Sequence, residues 1–419
     1  MAKLRVLLIG FFAVLCGAAL VKADSSGRIY GKIHTVDGET FQGLIRWDKN
    51  EGSWVDILDG TRDSDDREQK SHERSSRHKY SRRSSVNFFG IKIDEDPSSG
   101  YTFVSESSAE SGIRFGHLKS LEVVGDDRAL LTLKSGREVE FYGGSTDLGS
   151  SIREIVLEDP SEGEVEFSWE DIELIEFSEG DVAKPSVFGD RLYGTLTTRR
   201  GESYTGFVCW DIDELFNEDI LDGDDQRRGR KIAFGKVASI SRYSSSGAEL
   251  VMKSGDTTVL RGSNDVDSDN RGIIICDPGF GQVSVTWDDF EKLDLLSTPR
   301  STKYADFDGG RRLHGTVFTE SGEQYTGDIC WDDDEEYTWE LLNGNYRDME
   351  FKIEFGLVKK IEKNSGRSSE VTVTDGRVFR LRGSNDVDED NKGIVVTPAK
   401  GEDVFLDWED FSRVEFDNK

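Results

Sequence analysis

Cysteine and histidine are both scarce in this chain of 419 residues, which contains four cysteines and five histidines. Because Cys16 lies in an N-terminal apolar run, three cysteines remain beyond it, namely Cys209, Cys276 and Cys330. A low and odd number of cysteines does not make a disulfide framework. The histidines show no metal-binding spacing such as HxxxH, so the sequence offers no imidazole-based metal motif.

Catalytic signatures are missing as well. The sequence has no GxSxG elbow, no HExxH motif, no phosphate-binding loop and no cysteine–histidine motif. Asp and Glu are so numerous that no single pair stands out as a general acid and base. We therefore predict a protein that is not an enzyme, and keep an acidic-site hydrolase as an alternative.

Long apolar stretches are absent except at the N-terminus. Lys3 and Arg5 precede the apolar run 6–20, and a small-residue exit ends at Ala23. This order is typical of a secretory signal peptide, and the run is short for a membrane span. We predict cleavage after Ala23, with an uncleaved membrane anchor as the alternative. The mature protein is then exported, to the periplasm or outside the cell, and has no transmembrane span.

Positive charge is in deficit, with 53 Lys and Arg residues against 83 Asp and Glu residues and a formal net charge of −30. Such a surface repels the phosphate backbone of nucleic acids and anionic lipid. It attracts cations and basic proteins, although a high charge also simply keeps an exported protein soluble. The sequence therefore argues against nucleic acid and favours an unidentified protein or a cationic partner.

What the sequence does contain is a long internal repeat. Residues 192–295 align with residues 313–416 without gaps at a constant offset of 121 positions, and RGSNDVD occurs unchanged at 261–267 and 382–388. A more diverged copy begins near Ile29. Internal repeats should be sought before any other signal, because they decide the architecture. The predicted segments are the signal peptide 1–23, repeat 1 (24–178), repeat 2 (186–297) and repeat 3 (307–419).

Glycine and tryptophan occupy equivalent positions in all three repeats. Two glycines separated by 12 positions recur as Gly31 and Gly43, Gly194 and Gly206, and Gly315 and Gly327. Six of the eight tryptophans fall at two equivalent sites, Trp47, Trp210 and Trp331 at the first and Trp169, Trp287 and Trp408 at the second. Chance does not produce this agreement, so the three copies are repeats of one unit.

Period-two patterns predict an all-β fold. Gly206, Val208 and Trp210 share one parity, which is typical of a half-buried strand. Cys209 and its equivalent Cys330 have the opposite parity, so we expect them on the less apolar face. Three dipeptides predict tight hairpin turns, because such pairs supply positive φ. They are Asp59-Gly60, Asp222-Gly223 and Asn343-Gly344.

Each repeat has two halves with a similar order of motifs. The first half is a strand, a turn, a strand that ends in Trp-Asp, and then I-x-F-G-x-V. The second half is a strand, a Ser-Gly turn, a strand, and a final strand with W-x-D-F. This cadence resembles that of small Sm-like or SH3-like barrels, which implies a small barrel-like shape for each half. A half of about 50 residues is marginal alone, so the two halves should pack as one domain.

Repeat 1 carries an insertion, at about 61–112, that the other repeats lack. It includes the Ser- and Arg-rich run 71–85 in an otherwise acidic chain. Its low apolar content and high charge predict a disordered loop. The alternative is a basic tether that binds a polyanion or the protein's own acidic surface.

Two aspartate-rich loops are the sharpest candidate site. Carboxylates alternate along NDVDSDNRG (264–272) and NDVDEDNKG (385–393), and such carboxylates can converge on Ca²⁺. The predicted ligands are Asp265, Asp267 and Asp269 in repeat 2 and Asp386, Asp388 and Asp390 in repeat 3. Both loops depart from an EF-hand, since they lack its glycine and its final glutamate. The alternative is a loop whose Asn and Asp side chains cap their own backbone.

A second acidic cluster follows the first tryptophan, at 211–214 in repeat 2 and 332–335 in repeat 3. It is interpreted as a charged strand end that blocks edge pairing, with a cation site shared with the neighbouring loop as the alternative.

The sequence thus predicts an exported, acidic β-repeat protein with a non-catalytic binding or assembly role at the cell envelope or outside the cell. A calcium-binding repeat protein is the alternative, and Ca²⁺ is the one cofactor considered.

Overall fold

The computed structural model describes residues 27–63, 87–88, 91–92, 108–143, 147–180, 186–226, 228–298 and 302–417. Across these ranges strands make up 56% and short helical turns 6%, and no helix reaches seven residues, which confirms the all-β prediction. Nor do they contain a helix that is long and apolar enough to cross a membrane. The predicted signal peptide lies outside the described residues.

Repeat 1 contains twelve described strands, and ten of them form one antiparallel sheet. The strands are β1 (Tyr30–Thr35), β2 (Thr40–Trp47), β3 (Ile57–Asp63), β4 (Asn87–Phe88), β5 (Ile91–Lys92), β6 (Ser108–Arg114), β7 (Leu118–Gly125), β8 (Arg128–Leu133), β9 (Glu138–Tyr142), β10 (Ile155–Asp159), β11 (Gly163–Phe167) and β12 (Ile172–Phe177). Their order in the sheet is β11-β10-β2-β1-β12-β7-β8-β9-β3-β6, and β4 pairs with β5 separately.

Repeat 2 has the same strand order in space. Its strands are β13 (Tyr193–Thr198), β14 (Ser203–Trp210), β15 (Ile220–Asp225), β16 (Arg228–Ala233), β17 (Val237–Ser244), β18 (Gly247–Met252), β19 (Thr257–Arg261), β20 (Ile273–Asp277), β21 (Gly281–Val285) and β22 (Phe290–Leu295). Read from β21, the order is β21-β20-β14-β13-β22-β17-β18-β19-β15-β16, which matches repeat 1 strand for strand.

Repeat 3 follows the same plan, except that one hairpin also joins the sheet of repeat 2. Its strands are β23 (His314–Thr319), β24 (Gln324–Cys330), β25 (Leu341–Tyr346), β26 (Met349–Glu354), β27 (Val358–Ser365), β28 (Ser368–Val373), β29 (Val378–Leu381), β30 (Ile394–Thr397), β31 (Val404–Leu406) and β32 (Phe411–Phe416). Eight of them form the sheet β31-β30-β24-β23-β32-β27-β28-β29, while β26 of the hairpin β25–β26 pairs with β21 of repeat 2.

Short 3-10 turns connect several of these strands. They are Phe115–His117, Gly149–Ser151, Trp169–Asp171, Phe234–Lys236, Asn264–Val266, Tyr304–Asp306 and Phe355–Leu357. The turns that begin at Phe115, Phe234 and Phe355 correspond to the F-G of the sequence motif, and each phenylalanine is fully buried. These turns therefore anchor the start of the strand that follows them.

The two halves of each repeat are interleaved in its sheet. In repeat 1, hairpin β10–β11 of the second half pairs with β2 of the first half. Strand β3 of the first half meets β9 of the second half through Thr61 and Tyr142, and β7 pairs with β12 at the centre. Neither half of repeat 1 therefore forms a sheet from its own strands alone. The resemblance of a half to a small Sm-like or SH3-like barrel stays a prediction.

The glycines separated by 12 positions face each other across the first hairpin of each repeat. In the sheet registers Gly31 pairs with Gly43, Gly194 with Gly206 and Gly315 with Gly327. A Cβ on Gly206 would lie 2.4 Å from the carbonyl oxygen of Cys276 on the next strand. The close approach of a neighbouring backbone, and not an unusual φ, requires glycine at these positions.

We expect Gly206→Ala to lower the free energy of unfolding by about 1–3 kcal/mol or more, because the methyl group must displace backbone. Gly229→Ala is the matched control, since the nearest atom to its Cβ would be Asp224 Oδ1 at 3.9 Å. Chemical denaturation of both variants checks this. Equal stability of Gly206→Ala and the wild type would contradict the packing account.

The prediction of hairpin turns at three Asx-Gly dipeptides is wrong. Asp59-Gly60, Asp222-Gly223 and Asn343-Gly344 lie inside β3, β15 and β25. In repeats 2 and 3 the chain reverses later, near Gln226 and Arg347, which have φ of 47° and 60°. Gly223 is needed because a Cβ there would lie 2.9 Å from Leu260 Cβ. Close packing against the neighbouring strand, and not a turn, accounts for these glycines.

Cys209 and Cys330 are also placed differently from the prediction. Both are buried, with 2% and 3% of their surface exposed, so this face of each strand is covered as well. Cys209 packs in a small apolar cluster with Leu215 and Phe216. Burial raises the pKa of the Cys209 thiol well above its usual value, which makes it a poor nucleophile.

The structure describes the two ends of the insertion predicted at about 61–112, and both ends are strands. Residues 61–63 belong to β3 and residues 108–112 belong to β6, and these two strands pair with each other. Between them the structure describes only β4 and β5. The Ser- and Arg-rich run 71–85 lies outside the described residues.

Ion pairs join repeat 1 to repeats 2 and 3, and the pair with repeat 2 is buried. The Arg191 guanidinium is 3.1 Å from Asp56 across the contact of repeats 1 and 2, with 3% and 2% of the side chains exposed. Lys352 Nζ is 2.7 Å from both carboxylate oxygens of Asp59 across the contact of repeats 1 and 3. Tyr304, between repeats 2 and 3, donates its hydroxyl to the Leu118 carbonyl of repeat 1 at 2.7 Å. The three repeats therefore pack as one body.

We expect Arg191→Met to lower the free energy of unfolding by about 3–5 kcal/mol, because Asp56 is left charged and buried without its partner. Lys292→Met is the control, since its partner Asp294 lies at 2.7 Å but both side chains are more than two-fifths exposed. Loss of such a surface pair costs about 0–1 kcal/mol. Similar denaturation curves for the two variants would contradict the structural role of the buried pair.

Candidate cation site

A tryptophan and an aspartate are joined in the same way in every repeat. The indole Nε1 of Trp47 donates to the carbonyl oxygen of Asp147 at 2.9 Å. The equivalent bonds are Trp210 to Asp265 at 2.9 Å and Trp331 to Asp386 at 3.0 Å. All three tryptophans are fully buried, so this bond satisfies a polar group that has no access to water.

The carboxylate of the same aspartate binds a different strand. Asp386 Oδ2 accepts the backbone amide of Asn343 in β25 at 2.6 Å. In repeat 2, Asp265 Oδ2 accepts the amide of Asp222 in β15, also at 2.6 Å. The aspartate thus holds the loop against two strands that are distant in sequence. This bond explains why an aspartate is found at this position in all three repeats.

The chain after the tryptophan turns back on itself and brings a glutamate over the indole. Asp332 and Asp333 have φ of 51° and 68°, a left-handed conformation that aspartate tolerates. Glu335 then pairs with Trp331 through backbone hydrogen bonds of 2.7 and 2.9 Å. The same turn occurs after Trp47 and Trp210. It places an aspartate and a glutamate beside the buried aspartate of the loop.

In repeat 3 these groups form a buried carboxylate cluster of Asp332, Glu335 and Asp386. One oxygen from each residue lies within 4.8 Å of the others. Only 0%, 8% and 2% of these residues is exposed, respectively. Glu335 Oε2 has no hydrogen-bond partner, and neither has the nearby buried oxygen Asp334 Oδ1. A buried acceptor without a donor is costly, so the cluster calls for a positively charged ligand or for protons.

The cluster is electrostatically unfavourable without such a ligand. Burial, followed by the charges of Asp386 and Asp334, raises the pKa of Glu335 well above its usual value. Burial and the charge of Asp332 do the same for the pKa of Asp386. The pKa of Asp332 rises to about 7, chiefly through burial and the charge of Asp334. The positive charge of Lys392 opposes this effect on Asp332 and Asp386 but does not cancel it.

Repeats 1 and 2 place an arginine on the equivalent cluster. In repeat 2 the Arg271 guanidinium lies 2.9 Å from Asp211 Oδ2 and also binds Asp213. In repeat 1 the Arg153 guanidinium lies 3.2 Å from Asp48 Oδ2. Repeat 3 has Lys392 at this position, which is a point charge without the planar fork of arginine. The Arg62 guanidinium of repeat 1 is also near Glu335 and Asp334, but its ion pair is with Glu340. Asp332, Glu335 and Asp386 are therefore the carboxylates on which we place an added cation.

The structure separates the six predicted calcium ligands into two groups. Asp265 and Asp386 are the buried aspartates described above. Asp267 and Asp388 instead accept amides of their own loops, from Asp269 at 2.9 Å and from Asp390 at 3.1 Å. Of the described residues, two sets converge on a possible cation, namely the repeat 3 cluster and Asp211, Asp213 and Glu214 in repeat 2, where Arg271 binds Asp211 and Asp213. Among the six predicted ligands, only Asp386 belongs to either set. Their role as calcium ligands stays a prediction, and their contacts are those of a self-capped loop.

The sequence predicts the cluster at 332–335 and the loop at 385–393 as separate features, and predicts their union only as the alternative of a shared cation site. The signal that joins them is the glutamate four positions after the first tryptophan, which recurs as Glu51, Glu214 and Glu335. In each of these glutamates Oε2 is buried without a hydrogen-bond partner.

Comparison with known proteins found no matching family model, no matching curated protein and no matching solved structure. The geometry and chemistry of the chain itself are therefore the basis for its function.

We expect Glu335→Gln to raise the stability of the protein at pH 8 in a chelating buffer, relative to the wild type. The raised pKa of Glu335 means that the folded state keeps a proton that the unfolded state loses above its ordinary pKa of 4.5. The stability that this carboxyl group contributes is therefore fully present below about pH 4.5, and it is lost as the pH rises above that value. Each pKa unit of the shift corresponds to about 1.4 kcal/mol.

Denaturation curves between pH 5 and pH 8 measure this difference, with Glu415→Gln as a control for an exposed glutamate. The account predicts that the gap between Glu335→Gln and the wild type widens as the pH rises. If the difference in unfolding free energy between Glu335→Gln and the wild type is constant with pH, the pKa of Glu335 is not raised in the folded state.

Proposed function

We propose that this protein is an exported, non-catalytic β-repeat protein that binds a divalent cation, with Ca²⁺ first, in the carboxylate cluster of repeat 3. The observation that supports the proposal is the convergence of Asp332, Glu335 and Asp386 on one buried point, where no N–H donor of the described residues reaches Glu335 Oε2. The predicted signal peptide and the acidic composition support an action at the cell envelope or outside the cell.

The donor set favours a hard cation. The cluster offers carboxylate oxygens, and no histidine or cysteine belongs to it. Carboxylate oxygens suit Ca²⁺, Mg²⁺ or Mn²⁺, whereas Zn²⁺ and Cu²⁺ more often take nitrogen or sulfur. Ca²⁺ binds oxygens at about 2.3–2.6 Å, so two of its ligands lie up to about 5 Å apart. The separation within 4.8 Å in the cluster fits this range.

A binding role also fits the burial of the cluster better than hydrolysis does. Asp332 and Asp386 are almost completely enclosed, so a polymeric or bulky substrate has no direct access to them. An ion can reach such a site through small local motions. Once bound, the ion ties the strand end after Trp331 to the loop before β30 and stiffens repeat 3 as a binding module.

We expect calorimetry of the chain without residues 1–23 to show one Ca²⁺ site, with micromolar to millimolar affinity, and an increase in Tm. Glu335→Gln removes one ligand charge and is expected to weaken the binding at least tenfold. Glu214→Gln is the matched control, because Arg271 already supplies the positive charge in repeat 2. It should leave the heat of binding unchanged.

Asp388→Asn distinguishes the buried cluster from the predicted loop site. If Asp388→Asn abolishes binding while Glu335→Gln does not, the ligands lie in the loop and the assignment to the cluster is wrong. No heat and no change in Tm at millimolar Ca²⁺, Mg²⁺ or Mn²⁺ would remove the cation from the proposal. A hydrolytic activity lost on changing one carboxylate would contradict the non-catalytic role.

A further inference from the structure

Repeats 2 and 3 are joined by backbone pairing of two strand edges. Strand β21 of repeat 2 pairs antiparallel with β26 of repeat 3, and Gln282 lies opposite Lys352 while Val283 lies opposite Phe351. The hairpin that contains β26 is well covered in this joint, since Met349, Phe351 and Ile353 are all buried. The β21–β26 pairing therefore shows how a strand at the edge of one repeat can pair with a strand of another repeat.

Repeats 2 and 3 also contain the equivalents of the two strands that form this joint, and each of these equivalent strands lies at the end of a sheet. The equivalent of β26 in repeat 2 is β16, and the equivalent of β21 in repeat 3 is β31. No strand of the described residues pairs with the outer side of either one. Each thus presents an unpaired row of backbone donors and acceptors, which is a template for pairing with another chain.

The hairpin of repeat 2 is exposed where its counterpart in repeat 3 is covered. Ile220 is 39% exposed, whereas the equivalent Leu341 is 6% exposed. Arg228, Arg230 and Lys231 of β16 are exposed and take the places of Met349, Phe351 and Lys352. This edge presents basic side chains on a chain with a net charge of −30, and Arg230 and Lys231 also pair with Asp225 and Asp222 of β15 at 3.1 and 4.0 Å.

The edge at β31 carries the opposite charge. Glu402 and Asp403 lead directly into β31 and are exposed, and Phe405 within the strand is 51% exposed. A strand added at this edge would bury the exposed half of the Phe405 side chain, which is favourable. Acidic and aromatic side chains are therefore presented together at the edge that matches β21.

We propose that a second copy of this chain adds its β16 edge to the β31 edge of the first, in the register of the β21–β26 joint. The constant offset of 121 positions then places Asp403 opposite Lys231, as Gln282 lies opposite Lys352. Phe405 lies opposite Gly229, where the small residue leaves room for the ring.

The geometry of this contact is head to tail. Each copy uses its β31 edge in repeat 3 for one neighbour and its β16 edge in repeat 2 for the other. In an open assembly, one terminal copy therefore keeps an unpaired β16 edge and the other keeps an unpaired β31 edge. Such heterologous contacts build rings or open chains and not closed two-fold dimers. The charge on β16 could instead serve to block edge pairing. However, basic side chains on β16 repel a second β16 edge but attract the acidic side chains at the β31 edge.

Sedimentation velocity at about 0.15 M salt tests the proposal, because the Debye length is then only about 8 Å and the repulsion between acidic copies is screened. The wild type should form oligomers larger than dimers as its concentration rises. Lys231→Glu alone and Asp403→Lys alone should each associate at least tenfold more weakly, since each places like charges across the joint. Lys253→Glu, an exposed lysine away from both edges, should still assemble.

An equimolar mixture of Lys231→Glu and Asp403→Lys gives the decisive result. Every contact between unlike variants pairs opposite charges again, so the oligomers should return. A wild type that stays monomeric up to about 100 µM, or a mixture that stays monomeric, would overturn the proposal. Loss of assembly on Glu164→Lys in β11 but not on Asp403→Lys would assign the acidic edge to repeat 1, which also overturns it. The Ca²⁺ measurements do not bear on this outcome.

Discussion

One buried aspartate in each repeat holds its sheet together. Asp147, Asp265 and Asp386 each accept an indole hydrogen bond through the backbone carbonyl, and an amide of another strand through the carboxylate. An apolar substitute would leave that amide unsatisfied inside the core. The rest of the site follows from this constraint, because the aspartate must lie beside the turn that the first tryptophan begins.

The same constraint creates an electrostatic problem, which the repeats solve in two ways. The turn after the tryptophan supplies further carboxylates, so several negative charges are confined with little water. In repeats 1 and 2 an arginine on the following loop neutralises the first aspartate of the turn. In repeat 3 Lys392 takes that place and lowers the pKa of Asp332 and Asp386, but their pKa values remain raised by burial and by the neighbouring carboxylates. The proposed cation would balance this charge.

The parts of this arrangement that depend on local pattern were predictable, and those that depend on distant contacts were not. The recurring Trp and Gly positions predicted the repeated strands, because period-two burial and close backbone approach leave direct marks on a sequence. The Asx-Gly dipeptides misled, since glycine serves close packing in β15 as readily as it serves a turn. The union of Asp332 with Asp386 depends on a left-handed turn and on strand order, which no short motif encodes.

X-ray diffraction from crystals grown with Ca²⁺, or with a lanthanide that replaces it, tests the central claim most directly. The account predicts an anomalous peak between Asp332, Glu335 and Asp386 in repeat 3 and none at the equivalent points in repeats 1 and 2, where the arginines remain bound to Asp48 and Asp211. A peak at Asp388 and Asp390 would contradict it. So would an empty cluster in which Glu335 donates a proton to a neighbouring carboxylate.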